Sequence, residues 1–158
     1  MATLRKTTTT AKRNDTKKSA VRDVTASARN VMTADPETVI EECSLYEAAA
    51  LMAELGVRHL PVVNEDGVLV GMLSDRDLRT SIGDPVEALR GRRDESEACV
   101  RDVMAPDPLR VALSASVTEI AEMLMDERIG AVPVVDEGDR PIGIVSYVDL
   151  IRFLSRKA

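Results

Sequence analysis

The chain is poor in the residues that most catalytic and metal sites require. Its 158 residues include a single histidine, His59, two cysteines, no tryptophan and one phenylalanine. A structural zinc site needs about four Cys or His ligands, and a Ser-His-Asp or Cys-His nucleophile would depend on His59 alone. The chain also has too few aromatic side chains for a surface on which single-stranded nucleic acid could stack. We therefore expect no catalytic residues and no metal site.

Long apolar runs are absent as well. No stretch of about eighteen apolar residues predicts a membrane-spanning helix, and the first thirty residues contain no hydrophobic segment typical of a secretory signal peptide. Cys43 and Cys99 stand 56 positions apart, a spacing that does not suggest a disulfide framework. The sequence therefore predicts a reduced, cytoplasmic setting without membrane association.

The formal net charge of −6 conceals a strong asymmetry along the chain. Residues 1–24 hold seven basic and two acidic residues (net +5), whereas the remainder holds 14 basic and 25 acidic residues (net −11). Together with the Thr7–Thr10 run, this composition predicts a flexible basic tail over residues 1–28. A solubilising leader is the favoured interpretation. The alternative is an arm for nucleic acid, the one route by which residues 1–24 would bind it.

An internal repeat organises the rest of the chain. With a shift of 72 residues, residues 29–79 match residues 101–151 without a gap, and 17 of the 51 positions are identical. Ordinary composition would give roughly three identities. The repeat defines a first copy (29–80), a connector (81–100) with a short helix around Val86–Arg90, and a second copy (101–155). A unit of this size buries too little surface alone, so we expect the two copies to pack together as a pseudo-symmetric pair.

Capping and turn signals predict the elements of each copy. Ser44 and Glu47 form an S-x-x-E capping box before an apolar helical pattern, and Ser116 and Glu119 repeat it. Asp66-Gly67 between two apolar runs predicts a hairpin. Each copy should therefore fold as strand, helix, strand, strand, helix, which is a mixed α/β (α+β) class.

The motif G-h-h-S-x-x-D closes the last strand of each copy, at Gly71–Asp77 and Gly143–Asp149. One interpretation is structural, since a serine and an aspartate at this spacing cap a helix. The other is functional, since a helix N-terminus suits a phosphate and an aspartate there can accept the hydroxyls of a ribose. The spacing alone favours the capping interpretation.

Three blocks in the first copy resemble a CBS domain, the motif named after cystathionine beta-synthase: Val31–Pro36, Gly56–Val63 and Gly71–Asp77. The second copy repeats them in the same order, so the resemblance covers residues 29–154. It implies a tandem CBS pair, often called a Bateman module, that binds an adenosyl ligand in clefts between the repeats. The expected function is that of a regulatory sensor and not of an enzyme. Its ligand would be AMP, ADP, ATP or S-adenosylmethionine, with no obligatory cofactor.

The resemblance also implies which positions bind the ligand. The motif serines and aspartates would contact phosphate or ribose: Ser74, Asp77, Ser146 and Asp149. The adenine would lie against two matching sets of positions: Thr38, Val39, Val57, Arg58 and Pro61, then Arg110, Val111, Ile129, Gly130 and Pro133. Basic residues that would reach a phosphate occur only in the first copy, at Arg58, His59 and Arg76. We therefore predict two unequal sites.

Members of the CBS family commonly dimerise through their helices. The resemblance implies a homodimer arranged as a flat disc of four repeats, with an unidentified protein as a regulated target. The apolar helix faces at Ala48–Leu55 and Ile120–Met125 agree with such an interface. Two alternatives remain open: a structural or adaptor dimer whose clefts stay empty, and a nucleic-acid-associated protein that binds through its basic tail.

Overall fold

The computed structural model describes residues 25–91 and 98–156, so the predicted basic tail at 1–24 lies outside the described residues. The elements of the first half are α1 (Ala28–Val31), β1 (Thr33–Ala34), β2 (Val39–Ile40), α2 (Leu45–Leu55), β3 (His59–Val63), β4 (Leu69–Ser74), α3 (Asp75–Ile82) and α4 (Pro85–Gly91). Those of the second half are the 3-10 helix η1 (Val100–Asp102), β5 (Ala105–Pro106), β6 (Val111–Ala112), α5 (Val117–Asp126), β7 (Ala131–Val135), β8 (Pro141–Ser146) and α6 (Tyr147–Ser155).

The strands form two four-stranded sheets of the same design. Their orders are β2-β3-β4-β5 and β1-β8-β7-β6. In each sheet one parallel pair (β2 with β3, β6 with β7) adjoins an antiparallel hairpin (β3 with β4, β7 with β8). The expected order of strand, helix, strand, strand, helix is present in both copies, and the prediction of a mixed α/β tandem pair is confirmed.

Both long helices begin at the predicted capping boxes. Ser44 Oγ accepts a hydrogen bond from the Glu47 backbone N–H (3.2 Å), and Glu47 Oε2 accepts one from the Ser44 backbone N–H (3.1 Å). Ser116 and Glu119 make the same pair of bonds at the start of α5. A cap of this kind contributes about 1 kcal/mol to helix stability. The sequence therefore fixes the start of each helix locally.

Each sheet takes its outer antiparallel strand from the other copy. β1 pairs with β8, and β5 pairs with β4. A methionine side chain from the crossing segment lies against each sheet, and a β-carbon on Gly71 or Gly143 would collide with the thioether of Met104 or Met32 respectively. Glycine at both positions leaves room for the thioether, since a β-carbon there would force the methionine side chain to move.

The hydrophobic cores follow this exchange. Val100 is fully buried in the core of the first copy, with Val103 and Met104 packed against it. Ala28 is fully buried in the core of the second copy, and Ala26 is only 7% exposed. The predicted tail of residues 1–28 includes Ala26 and Ala28, but in the structure both are buried and pack with the second copy. The two copies are therefore joined by both backbone pairing and core packing.

No helix in residues 25–91 and 98–156 has both the length and the apolar character that a membrane span requires.

Candidate functional site

A cavity of about 550 Å³ lies between the two copies. Seven of the predicted site residues line it: Arg58, His59, Ser74, Arg76, Asp77, Ile129 and Gly130. The structure adds eight residues to the lining: Met72, Asp75, Ala105, Pro108, Leu109, Glu127, Arg128 and Ala131. Both copies contribute to its walls, and β5 reaches it because that strand pairs with the first sheet.

Nine of the predicted positions do not line this cavity: Thr38, Val39, Val57, Pro61, Arg110, Val111, Pro133, Ser146 and Asp149. The Arg110 guanidinium instead forms ion pairs with Asp107 (3.1 Å) and Asp139 (3.4 Å). A second cavity of about 600 Å³ lies near α1 and the ends of β6 and β7, and it contains none of the predicted site residues.

Ser74 and Asp77 meet at the N-terminus of α3, one wall of the cavity. Asp77 Oδ2 accepts hydrogen bonds from the Ser74 backbone N–H (2.8 Å) and the Ser74 hydroxyl (2.6 Å). The Asp77 backbone N–H donates to Ser74 Oγ (3.2 Å). This is the capping arrangement that the spacing favours. Within the described part of the chain, the other carboxylate oxygen, Asp77 Oδ1, accepts no hydrogen bond, so the cap leaves it available to a ligand.

The second copy uses its aspartate differently. Asp149 Oδ2 accepts the same two bonds from Ser146, at 2.8 Å and 2.6 Å. Its other oxygen, Asp149 Oδ1, forms an ion pair with Arg152 Nη1 (3.5 Å). The position equivalent to Arg152 in the first copy is Thr80, whose hydroxyl donates to the Arg76 carbonyl instead (2.9 Å). The two motifs therefore share the same cap, but the second carboxylate oxygen is free in Asp77 and paired with an arginine in Asp149.

His59 of the first copy touches Gly130 of the second copy. A β-carbon built on Gly130 would lie 2.7 Å from His59 Cε1 and Nε2, so the imidazole lies directly against the Gly130 backbone. The ring is half-buried, and burial is the main cause that lowers the pKa of His59 below its ordinary value. The Arg58 charge lowers this pKa further, while Asp77 and Asp75 act to raise it. The neutral imidazole is therefore the favoured form near pH 7.

The cations of the cavity come from both copies. Arg58 and Arg76 belong to the first copy and Arg128 to the second, and all three side chains are exposed. Among residues 25–91 and 98–156, none of the three forms an ion pair. Arg128 is not among the predicted site residues, because the repeat relates equivalent positions and does not show which positions of the two copies face the same cavity. The available signal was Arg128 itself, which occupies the position of the helix-ending Gly56.

Five of the eight residues that the structure adds to the cavity lining are apolar and aliphatic. Met72, Ala105 and Ala131 lie on strands, and Pro108 and Leu109 follow β5. Such side chains can cover a flat heterocycle without aromatic stacking. In the described ranges, no group of three or more His, Cys, Asp or Glu residues is placed to hold a metal ion. The site therefore combines aliphatic side chains, three guanidinium groups and three carboxylates, of which Asp77 has a free oxygen.

Known proteins share this architecture. The CBS domain family model matches residues 28–84 and 100–156. The structure of CBSX2 from Arabidopsis thaliana in complex with AMP is 28% identical, with a TM-score of 0.71, over 83% of this chain and 97% of that one. The CBS domain pair of protein MJ0100, in complex with 5′-methylthioadenosine and S-adenosyl-L-methionine, is 26% identical, with a TM-score of 0.71, over 84% of this chain and 98% of that one.

A curated relative is a longer protein. The homoserine O-acetyltransferase of Methanococcoides burtonii is 34% identical over 128 residues, which are 81% of this chain and 24% of the relative. This chain thus spans about a quarter of that enzyme's length, and the similarity lies in the CBS pair. The repeat, the exchanged sheets and the family match over both copies lead to one conclusion: the chain belongs to the CBS domain family.

Proposed function

We propose that this chain is a regulatory module that binds an adenine nucleotide in the cavity between its two copies. One observation carries the proposal: the cavity is lined by the Asp77 carboxylate, which has one oxygen without a hydrogen bond, by the N-terminus of α3 and by three arginines. Asp77 Oδ1 would accept the ribose hydroxyls, and the start of α3 would face a phosphate. The aliphatic wall would cover the adenine. A volume of about 550 Å³ is within the usual range for small-molecule sites.

The relatives support the ligand class. CBSX2 binds AMP, and the MJ0100 pair binds 5′-methylthioadenosine and S-adenosyl-L-methionine, so the ligands of both proteins contain adenosine. Both structures cover more than four fifths of this chain. We extend the proposal to the other predicted site residues that line the cavity: Arg58, His59, Ser74, Arg76, Ile129 and Gly130.

The proposed role is regulatory and not catalytic. Ser74 and His59 both line the cavity, but the Ser74 hydroxyl donates to Asp77 Oδ2 at 2.6 Å. The hydroxyl proton is therefore directed to a carboxylate and away from the imidazole, unlike in a serine–histidine pair. A ligand that touches both copies would favour one relative arrangement of them. A regulated protein that contacts the copies would respond to this change in arrangement.

Thermal unfolding with and without ligand tests the proposal. We expect AMP, ADP, ATP or S-adenosylmethionine at millimolar concentration to raise the melting temperature, because a ligand that binds only the folded chain stabilises it. Asp77→Ala and Asp149→Ala are matched variants, since each removes one capping carboxylate. Both should lower stability by about 1 kcal/mol, but only Asp77→Ala should abolish the ligand-induced rise. A wild-type chain that none of the four ligands stabilises would contradict the proposal.

We also propose self-association through the helices of the second copy. Val148, Ile151 and Leu154 on α6 are 58–64% exposed, and Met125 on α5 is 60% exposed. Apolar side chains grouped in this way mark an interaction surface. The equivalent α3 residues in the first copy are Arg76, Arg79 and Ile82, and α4 packs against α2 and α3. The bare apolar face therefore belongs to the second copy, and a second chain would cover it across a two-fold axis.

A further inference from the structure

Three guanidinium groups and three carboxylates line the cavity. Arg58, Arg76 and Arg128 line it without an ion pair among the described residues. Two of its carboxylates are already engaged. Asp75 is paired with Arg79 at 2.8 Å, and Asp77 Oδ2 holds the Ser74 cap. Glu127 is the remaining acidic residue of the lining. The cavity therefore holds three cations that no ion pair engages within the described ranges, on a strongly acidic body.

The internal repeat shows that the three arginines belong to only one of the two pseudo-symmetric clefts. The residues equivalent to Arg58, Arg76 and Arg128 under the 72-residue shift are Gly130, Val148 and Gly56. The pseudo-symmetric cleft therefore lacks a cation at all three positions. Arg58 and Arg76 lie in one copy and Arg128 in the other, yet the fold brings them to the same cavity. The three guanidinium groups share one cavity only because the two copies pack together.

Arg128 also has an unusual backbone. Its φ is +54°, while the equivalent Gly56 has a φ of +66° and ends α2 in the same left-handed conformation. This conformation favours glycine, and bulky residues adopt it rarely. Strained residues of this kind concentrate at ligand sites. An arginine at a position suited to glycine, on the wall of a cavity, agrees with a role in ligand binding.

We propose that this cavity selects adenosine polyphosphates, with Arg128 as a specificity-determining residue that contacts the phosphate chain. The inference rests on the proposed nucleotide site and names its ligand class. Guanidinium groups bind phosphate oxygens through paired, charge-assisted hydrogen bonds. Three of them match a nucleoside di- or triphosphate better than a monophosphate. The same groups gain nothing from 5′-methylthioadenosine and repel the sulfonium of S-adenosylmethionine.

Calorimetric titration at fixed ionic strength tests the inference with four ligands: ATP, ADP, AMP and 5′-methylthioadenosine. We expect the wild-type chain to bind ATP and ADP at least about ten-fold more tightly than the other two, because each charge-assisted contact is worth about that factor or more. Arg128→Gly should weaken ATP binding about ten-fold and leave 5′-methylthioadenosine binding unchanged. The variant should fold, because Gly56 occupies the equivalent position in the other copy. Arg140→Ala, an exposed arginine outside the cavity, is the matched control and should bind like the wild type.

Three results would overturn the inference. The first is that the wild-type chain binds ATP and 5′-methylthioadenosine with equal affinity. The second is that Arg128→Gly lowers the affinity for both ligands equally. The third is that Arg140→Ala lowers the affinity for ATP as much as Arg128→Gly does. Each of these would leave an adenosine site intact. If none of the four ligands binds the wild-type chain at millimolar concentration, the proposed function itself fails. The two failures are therefore distinguishable.

Discussion

The His59 imidazole and the Gly130 backbone touch across the boundary between the two copies, with no room for a β-carbon on Gly130. The contact lies on the cavity wall, so it links the packing of the copies to the shape of the site. It also explains why a glycine is suited to this position: the imidazole occupies the space that a methyl group would need.

The contact predicts a coupled pair of substitutions. Gly130→Ala should lower the free energy of unfolding by about 1–3 kcal/mol, because the methyl group must displace the imidazole. In a His59→Ala background the same substitution should cost little, since the ring is gone. Chemical denaturation of the four chains in a double-mutant cycle measures this coupling. Equal costs of Gly130→Ala in both backgrounds would show that the two residues do not interact.

His59 also predicts how stability depends on pH. Burial lowers its pKa in the folded chain, so the unfolded chain binds a proton more readily. Stability should therefore be highest above the ordinary histidine pKa of 6.5 and decline as the pH falls below it. Hydrogen bonds from the backbone and hydroxyl of Ser44 and Ser116 lower the pKa of Glu47 and Glu119, so these capping residues titrate at lower pH than the histidine.

Urea denaturation between pH 5 and pH 8 measures this dependence, and His59→Gln is the control because it removes the only histidine. The wild-type chain should lose stability from pH 7 to pH 5, while the variant should change much less. The same slope in both chains would assign the effect to other groups.

The exposed apolar face of α6 predicts a dimer that one introduced arginine would disrupt. Ile151→Arg should shift the protein toward a monomer, because it buries an unpaired charge at the interface of the proposed dimer. Ile40→Arg is the matched control, since Ile40 is also an exposed isoleucine (50%) but lies on β2. Light scattering coupled to size-exclusion chromatography reports the mass. A dimer that persists in Ile151→Arg, or a wild-type monomer, would contradict the proposed surface.

Local signals in the sequence predict much of this fold. The Ser44–Glu47 box sets the start of α2 through hydrogen bonds within one turn of helix, and Gly56 ends that helix in the left-handed conformation that glycine favours. Pro141 opens β8, as its missing N–H suggests. These features depend on neighbours along the chain, so the sequence alone is sufficient to predict them.

Features that depend on distant parts of the chain could not be predicted. β1 and β5 have two residues each, too few to show the alternation of a strand, and their partners lie in the other copy. Arg128 joins the cavity because the helix end of one copy faces the motif of the other. The free oxygen of Asp77 and the paired oxygen of Asp149 differ through Thr80 and Arg152, which stand outside the motif.

Equilibrium dialysis with labelled ATP measures nucleotide binding itself, because it counts bound ligand without depending on a change in stability. We expect saturable binding at a single site per chain, retained in Asp149→Ala and lost in Asp77→Ala. No saturable binding by the wild-type chain at millimolar ATP, or an equal loss in the two aspartate variants, would contradict this expectation.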